Sequence, residues 1–274
     1  PTSAAVSRAS RASSLARGSG MASRSARWLP ERKRGETPEP IAIVGMSGCF
    51  PQARDVQTLW QHLLEGRDCI EEVPAQRWDW RAVYGEGANQ TRVKWGGFIE
   101  GVDEFDPLFF GISPREAQLM DPQQRLLMMQ VWKAIEDAGY APSSLSGTRT
   151  GIFVGTGASG YAQLLKDEPL EGYSATGEVP SIGPNRMSYY LNVHGPSEAI
   201  ETSCSSSLVA LHRAVRALRG GECEIALAGG VNTIVAGTNI SADGGGGPGG
   251  TWRMMSSARG AFSAVVTYPV SSTN

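Results

Sequence analysis

The sequence predicts an α/β fold, a sheet covered by helices on both faces. Three short apolar runs, "IAIVG" (residues 41–45), "TGIFVG" (150–155) and "EIALAGGVN" (224–232), read as strands buried on both sides, being small or β-branched and rich in glycine at their ends. Between them lie stretches whose apolar residues recur at helical spacing. Strands alternating with amphipathic helices are the pattern of a sheet sandwiched between helix layers.

Taken in order, residues 1–39 are rich in Ser, Ala and Arg, contain no acid before Glu31 and show no apolar periodicity, so they read as disordered. An Arg-rich, Ser-rich, acid-poor leader is also the composition of an organelle transit peptide. Its only aromatic is Trp28, so a nucleic-acid arm with a stacking platform ranks last. Ile41–Gly45 is the first strand. Asp55 caps a helix carrying Leu59, Leu63 and Leu64, with Gly66 just past its end. His62 lies within that helix and reads as structural or solvated. Residues 67–113 are irregular and scattered with aromatics, which suits a long loop packed on a core or a partner subunit.

Asp121 followed by Pro122 is a strong helix start, with Leu126, Leu127, Val131 and Ile135 as the buried face and Gly139 as the stop. Thr150–Gly155 is the next buried strand, Asn185–Leu191 a helix, and Glu224–Asn232 a further strand. After Ala236 the character changes: "DGGGGPGG" holds neither strand nor helix, and residues 251–274 show no amphipathic pattern, so residues 236–274 read as a disordered or artefactual tail.

Composition narrows the class. The first forty residues carry eight Lys or Arg against three Glu, leaving the remainder of the chain acidic. No apolar run approaches membrane-spanning length, which predicts a soluble protein without a membrane partner. Cys49, Cys69, Cys204 and Cys223 form no C-x-x-C pair and neighbour no histidine cluster, which disfavours structural zinc or a disulfide framework and suits a reducing compartment.

The chemistry centres on "ETSCSSSLVALHRAVRALR" (residues 201–219). Leu208, Leu211, Val215 and Leu218 recur at helical spacing until Gly220 and Gly221 stop the helix, so Cys204 sits at a strand-to-helix turn. Unpaired amides and the positive end of a helix dipole there favour a nucleophilic sulfur and leave donors facing an oxyanion. The three serines after it are small enough to admit a substrate. Against this stands the ordinary fate of a free cysteine, which is to be buried and inert. A competing motif is "GTGASG", a G-x-G-x-x-G match at Gly155, Gly157 and Gly160, with Glu178 as the nearest acid to the required spacing; it keeps a dinucleotide-binding oxidoreductase as runner-up.

The run "ETSCSSSLVALHRAVRALRGGECEIALAGGVN" closely resembles the active-site segment of beta-ketoacyl synthases. The likeness is strongest to ketosynthase domains of modular type I polyketide synthases and extends over residues 40–235 through "EPIAIVGMSGCFP", "DPQQRLL", "TGIFVGT" and "NRMSYYLNVHGPS". It implies the N-terminal half of a thiolase-like fold, a mixed sheet between helix layers. It also implies that residues 1–39 are an interdomain linker, since such domains sit inside multidomain chains. By the same resemblance, Cys204 accepts an acyl chain from an acyl carrier protein as a thioester, with its own backbone N–H as oxyanion donor. A malonyl-type unit on another carrier then loses CO2, and its carbanion attacks that thioester. No cofactor or metal is held by the domain; the phosphopantetheine belongs to the carrier. The intact domain is expected to be a homodimer, cytoplasmic unless the leader directs import.

Two departures from the family pattern stand out. Glu201 and Ser203 occupy places where Asp and Ala are frequent, a change compatible with the same turn. The histidine motifs H-G-T and N-x-G-H, on which decarboxylation depends, do not occur. His212 is about 12 Å along the helix from Cys204 at 1.5 Å per residue and reads as solvated or packed. His194 precedes the turn at Gly195 and Pro196 and reads as structural or solvent-facing. The chain alone is therefore expected not to complete condensation, which leaves a non-catalytic carrier-binding subunit as a second alternative. Half of a two-repeat fold is also expected to leave apolar surface uncovered.

Overall fold

Strand alternation explains the architecture. In a computed structural model, which describes residues 40–87 and 90–236 and the backbone of 261–267, strand β4 (Thr150–Gly155) is buried along its whole length. It pairs in parallel with β5 (Ser197–Ile200) on one side and β6 (Ile225–Val231) on the other. Ile152, Val154, Leu227 and Val231 point to one face, where they meet Leu126, Leu127, Val131 and Ile135 of α3 (Pro122–Asp137) and Met187 and Leu191 of α6 (Ile182–Leu191). Phe153, Ala226 and Ala228 point to the other, against α7 (Ser206–Gly220). A two-residue period thus divides one apolar run between two helix layers.

The remaining elements are β1 (Ala42–Cys49), α1 (Val56–Glu65), the two-residue ladder of β2 (Glu71–Glu72) with β3 (Trp95–Gly96), α2 (Pro114–Leu119), α4 (Tyr161–Leu164), α5 (Gly172–Glu178) and β7 (Ala261–Thr267). The main sheet runs in the order β1-β7-β6-β4-β5, with β7 antiparallel to both β1 and β6. β7 lies within residues 236–274, the stretch whose sequence reads as a disordered or artefactual tail. Seven residues of that stretch add a strand, because the open edges of β1 and β6 supply backbone partners that no side-chain pattern announces.

Helix ends follow the local chemistry. Asp55 accepts the Thr58 N–H at 2.6 Å, which holds its carboxyl below the ordinary value, and Gly66 closes α1 at φ 63°. Ser113 caps α2 ahead of Pro114, and Asp121 caps α3 ahead of Pro122. Loop aromatics from residues 67–113 do find a core: Phe109 and Phe110 pack edge-on, 4.9 Å between centroids, and both reach Trp132 of α3.

Three expected burial faces are displaced. The sequence predicts a buried β1, yet Ile43, Val44 and Met46 are exposed; β1 is the terminal strand of the sheet, and it meets α3 through its small residues, Gly45, where a methyl would lie 2.5 Å from the Ala134 carbonyl oxygen, and Ser47, whose hydroxyl donates to Gln130. In α1 the expected apolar face is solvent-exposed at Leu63 and Leu64, as is Trp60, while His62 is the buried residue, between Arg67 and Cys69. In α7 the face against the sheet is Ala210, Ala214, Ala217 and Leu218, whereas Leu208 is 71% exposed. Alanines hold the first three of these positions because α7 there lies close against the sheet, and leucine is admitted only at Leu218 in the last turn.

One ion pair ties the α2–α3 corner to the helices that come after it. Arg186 of α6 donates to Glu116 of α2 at 2.6 Å and to Gln124 Oε1 at 3.2 Å, with both charged side chains over four-fifths buried. Gln124 in turn donates to the Gly177 carbonyl at 2.8 Å, pinning α5. Replacing Arg186 by Leu should destabilise the fold by about 3 kcal/mol, since Glu116 is left charged and unpaired. Urea unfolding of Arg186→Leu beside the double variant Arg186→Leu, Glu116→Leu tests this; the double variant should recover much of the loss.

Candidate active site

The turn after β5 is strained and then stapled. Ser203 has φ 54°, in the left-handed region that a residue with a Cβ enters at a cost of roughly 1–3 kcal/mol. It opens a short 3₁₀ turn, Ser203–Ser205, that runs directly into α7. Serine hydroxyls hold it: Ser206 Oγ accepts the Thr202 N–H at 2.8 Å and donates to the Ser203 carbonyl at 2.8 Å, while Ser205 Oγ donates to the Thr202 carbonyl at 2.8 Å. In the sequence these serines stand out only as small residues. Their bonds to backbone groups three or four positions away are what keep the backbone in a costly conformation.

Cys204 occupies the middle of that turn, two residues ahead of the first residue of α7, and is exposed. The amides after it are engaged, Ser205 N–H with the Thr202 carbonyl and Ser206 N–H with the Ser203 carbonyl. Among the described residues neither the Cys204 amide nor its thiol takes part in a hydrogen bond. An exposed sulfur beside an unspent N–H, at the mouth of a fifteen-residue helix, can attack a carbonyl carbon and hydrogen-bond the resulting oxyanion.

Two glycines seat this turn on the sheet. A methyl on Gly155, the last residue of β4, would lie 2.6 Å from the Ser206 carbonyl carbon and the Ser207 nitrogen, and one on Gly230 of β6 would lie 2.7 Å from Ser207 Cβ. Only glycine permits so close an approach, and it brings Cys204 to the carboxyl ends of three parallel strands, where α/β sheets bind ligands. Gly155 is therefore a packing residue. Gly160, at φ 85°, caps only the single turn of α4, and Glu178 ends α5, so no long helix follows the glycine-rich loop to receive a pyrophosphate.

The loops that leave β4 and β6 are joined by the first turn of α3. The Gln123 side chain, 4% exposed, donates to the Gly157 carbonyl at 2.7 Å and accepts the Thr233 N–H at 3.4 Å. Asp121 accepts the Ser159 hydroxyl at 2.5 Å and the Gln123 N–H at 2.8 Å; burial pushes its carboxyl above the ordinary value despite those bonds and the nearby Arg125. Val235 N–H donates to the Ser159 carbonyl at 3.1 Å. Sequence reasoning assigns none of these residues a role at the site and takes Asp121 and Pro122 only as a helix start. Two glutamines on the buried first turn of an otherwise apolar helix face were the available signal.

Among the described residues no histidine is hydrogen-bonded to Cys204. His212 is exposed on α7. His194 is exposed too, and its N–H pairs with the Thr148 carbonyl at the entry to β4, while Cys204 follows the exit of β5. Cys223 is buried, and burial pushes its thiol up to about 11; Cys49 and Cys69 are half-buried. Among the described residues no cluster of three metal-ligating side chains is present and no helix is long and apolar enough to cross a membrane.

A family model described as the N-terminal domain of beta-ketoacyl synthase matches residues 38–262. Among curated proteins, the polyketide synthase PksN of Bacillus subtilis is 60% identical over 208 residues, covering 75% of this chain and 4% of the relative. The polyketide synthase ThaG of Burkholderia thailandensis is 52% identical over 204 residues, covering 73% of this chain and 4% of the relative. The chain thus spans a small fraction of these relatives. Of solved structures, the oxazolomycin ketosynthase domain of Streptomyces albus superposes with a TM-score of 0.73 at 37% identity, covering 84% of this chain and 43% of that one. The ketosynthase from module 6 of the Bacillus subtilis bacillaene synthase gives 0.70 at 33% identity, covering 84% and 40%.

Exposure and burial predict an order of thiol reactivity. With iodoacetamide at neutral pH, the native chain should be alkylated at Cys204 while Cys223 stays unmodified, and urea should open Cys223 to the reagent. Peptide mass spectrometry reads both sites.

Proposed function

Since this chain belongs to the beta-ketoacyl synthase family and carries the N-terminal half of the thiolase-like fold of polyketide synthase ketosynthases, we propose that Cys204 is its acyl-accepting nucleophile. The acyl donor is a thioester on the phosphopantetheine arm of an acyl carrier protein. The Cys204 sulfur attacks the thioester carbonyl carbon and a new carbon–sulfur bond forms. The carbonyl oxygen becomes an oxyanion, to which the Cys204 N–H donates. As the tetrahedral species collapses, the carrier's carbon–sulfur bond breaks, and the carrier thiol departs with the proton that Cys204 gave up. The observation that carries this reading is the exposed sulfur next to an amide with no partner among the described residues, at the carboxyl ends of β4, β5 and β6.

The second stage would be decarboxylation of a malonyl-type extender and attack of its carbanion on the Cys204 thioester. The H-G-T and N-x-G-H motifs that serve it in the family are absent from this sequence, and among the described residues none of His62, His194 and His212 is hydrogen-bonded to Cys204. The same absence favours one other reading, a ketosynthase-like subunit that binds carriers without forming bonds. Homodimerisation of the intact domain and a cytoplasmic setting belong to the proposal as well.

Labelling separates the two readings. The purified chain incubated with an acyl-pantetheine thioester should gain the acyl mass on the Cys204 peptide, and Cys204→Ala should not; equal labelling of both would remove Cys204 from the mechanism. The uncovered apolar residues generate a further expectation. With Ile43, Trp60, Leu63, Leu64 and Leu208 each more than half exposed, the isolated chain should self-associate in light scattering, or be held monomeric by a complementary second half. A monodisperse, cooperatively melting monomer would count against a half-domain.

A further inference from the structure

We propose that Gln123 is a positioning residue for the Cys204 site, a clamp that sets the distance between the loops leaving β4 and β6, the two strands on which the first turn of α7 is seated. The inference rests on the acylation chemistry proposed above and adds a residue to it. Its starting point is an unsatisfied need of the fold. Beyond Gly155 and Val231 the parallel ladder of β4 and β6 ends, so the backbone groups of residues 157–159 and 232–235 no longer have partners across that ladder. Buried peptide groups without partners are costly, and a side chain able both to donate and to accept can serve two of them at once.

Gln123 does so. Its Nε2 donates to the Gly157 carbonyl at 2.7 Å and its Oε1 accepts the Thr233 N–H at 3.4 Å, so one amide spans residues 34 and 110 positions away in the chain. The clamp itself is rigid. Gln123 is buried, its backbone N–H is held by the Asp121 carboxylate, and that carboxylate also holds Ser159 of the first loop, whose carbonyl accepts from Val235 of the second. The link to the nucleophile is short. Thr156, the neighbour of Gly157, donates its N–H to the Ile200 carbonyl at 3.0 Å, and Ile200 ends the strand from which the Cys204 turn departs. Gly155 lies directly beneath the first turn of α7. A shift of the Gly157 loop is therefore felt where an acyl group on Cys204 would sit, while the sulfur itself, exposed and unbonded, is not touched by Gln123.

That separation defines the test. Alkylation by iodoacetamide asks only that the sulfur be accessible, whereas transfer from an acyl-pantetheine thioester asks that the walls around it be placed for the tetrahedral species. Gln123→Met keeps volume and removes both hydrogen bonds. Displacements near 1 Å at a reacting centre cost up to about 100-fold, so acylation of Cys204 in Gln123→Met should fall about 10- to 100-fold at an unchanged alkylation rate. Gln123→Glu keeps an acceptor for Thr233 but cannot donate to Gly157, and should show the same split; it decides the matter if the Met variant does not fold. Acylation at the wild-type rate in either folded variant would overturn the clamp. So would a parallel fall in acylation and alkylation in the Glu variant, which would mark a general loss of structure. If the unaltered chain alkylates at Cys204 but is never acylated, the proposed function fails first and the clamp with it.

Discussion

The arrangement depends on one close approach, that of the first turn of α7 to the ends of β4 and β6. Gly155 and Gly230 leave no side chain between strand and helix, and Ser206 and Ser207 fill the gap with little more than backbone. The alanine face of α7 continues the same contact along the sheet. With leucine at those positions the helix would stand further off, its mouth would rise from the strand ends, and Cys204 would lose its place beside the β4 and β6 loops. Packing at van der Waals distance is thus the condition for the site, since interiors this dense transmit a methyl group's displacement to their neighbours.

Strain at Ser203 follows from that seat. Between the last hydrogen-bonded residue of β5 and the first turn of α7 the chain has few residues in which to reverse its direction, and one of them takes a left-handed conformation that residues other than glycine usually avoid. The hydroxyls of Ser205 and Ser206 offset this by bonding to Thr202 and Ser203. The outcome is an exposed Cys204 whose own amide has no partner among the described residues, while the next two amides bond back to the Thr202 and Ser203 carbonyls.

Polar groups in the core are organised for the same end. Gln123, Gln124, Arg186 and Glu116 bind carbonyls, amides and one another across four helices and two loops. Fully partnered, such a network costs little and specifies a single arrangement; half-partnered, it would be worse than an apolar core. Several side chains of α1, β1 and α7, among them Ile43, Trp60, Leu63, Leu64 and Leu208, have the opposite character, apolar and exposed. This fits a chain that spans 43% of a solved ketosynthase with which it shares its fold.

Much of this was legible in the residues. The strands at 150–155 and 224–232, the helix begun by Asp121 and Pro122, the caps at Asp55 and Gly66, and Cys204 at a strand-to-helix turn all follow from local rules: side-chain period, allowed φ, and the donors left over at a helix end. Which face of α7 and of α1 would be buried was not legible, because an alanine stripe signals close packing only once the opposing glycines are known. The strand at 261–267 was invisible for a similar reason, its partners being backbone edges made by residues far away in the chain. The Gln123 clamp belongs to the same class. The sequence by itself determined most of the elements and the place of Cys204 at a strand-to-helix turn, since these depend on neighbours within a few residues. Only the tertiary structure decided the packing faces and the residues that place the site, since hydrogen bonds and van der Waals contacts between distant segments exist only after the chain has folded.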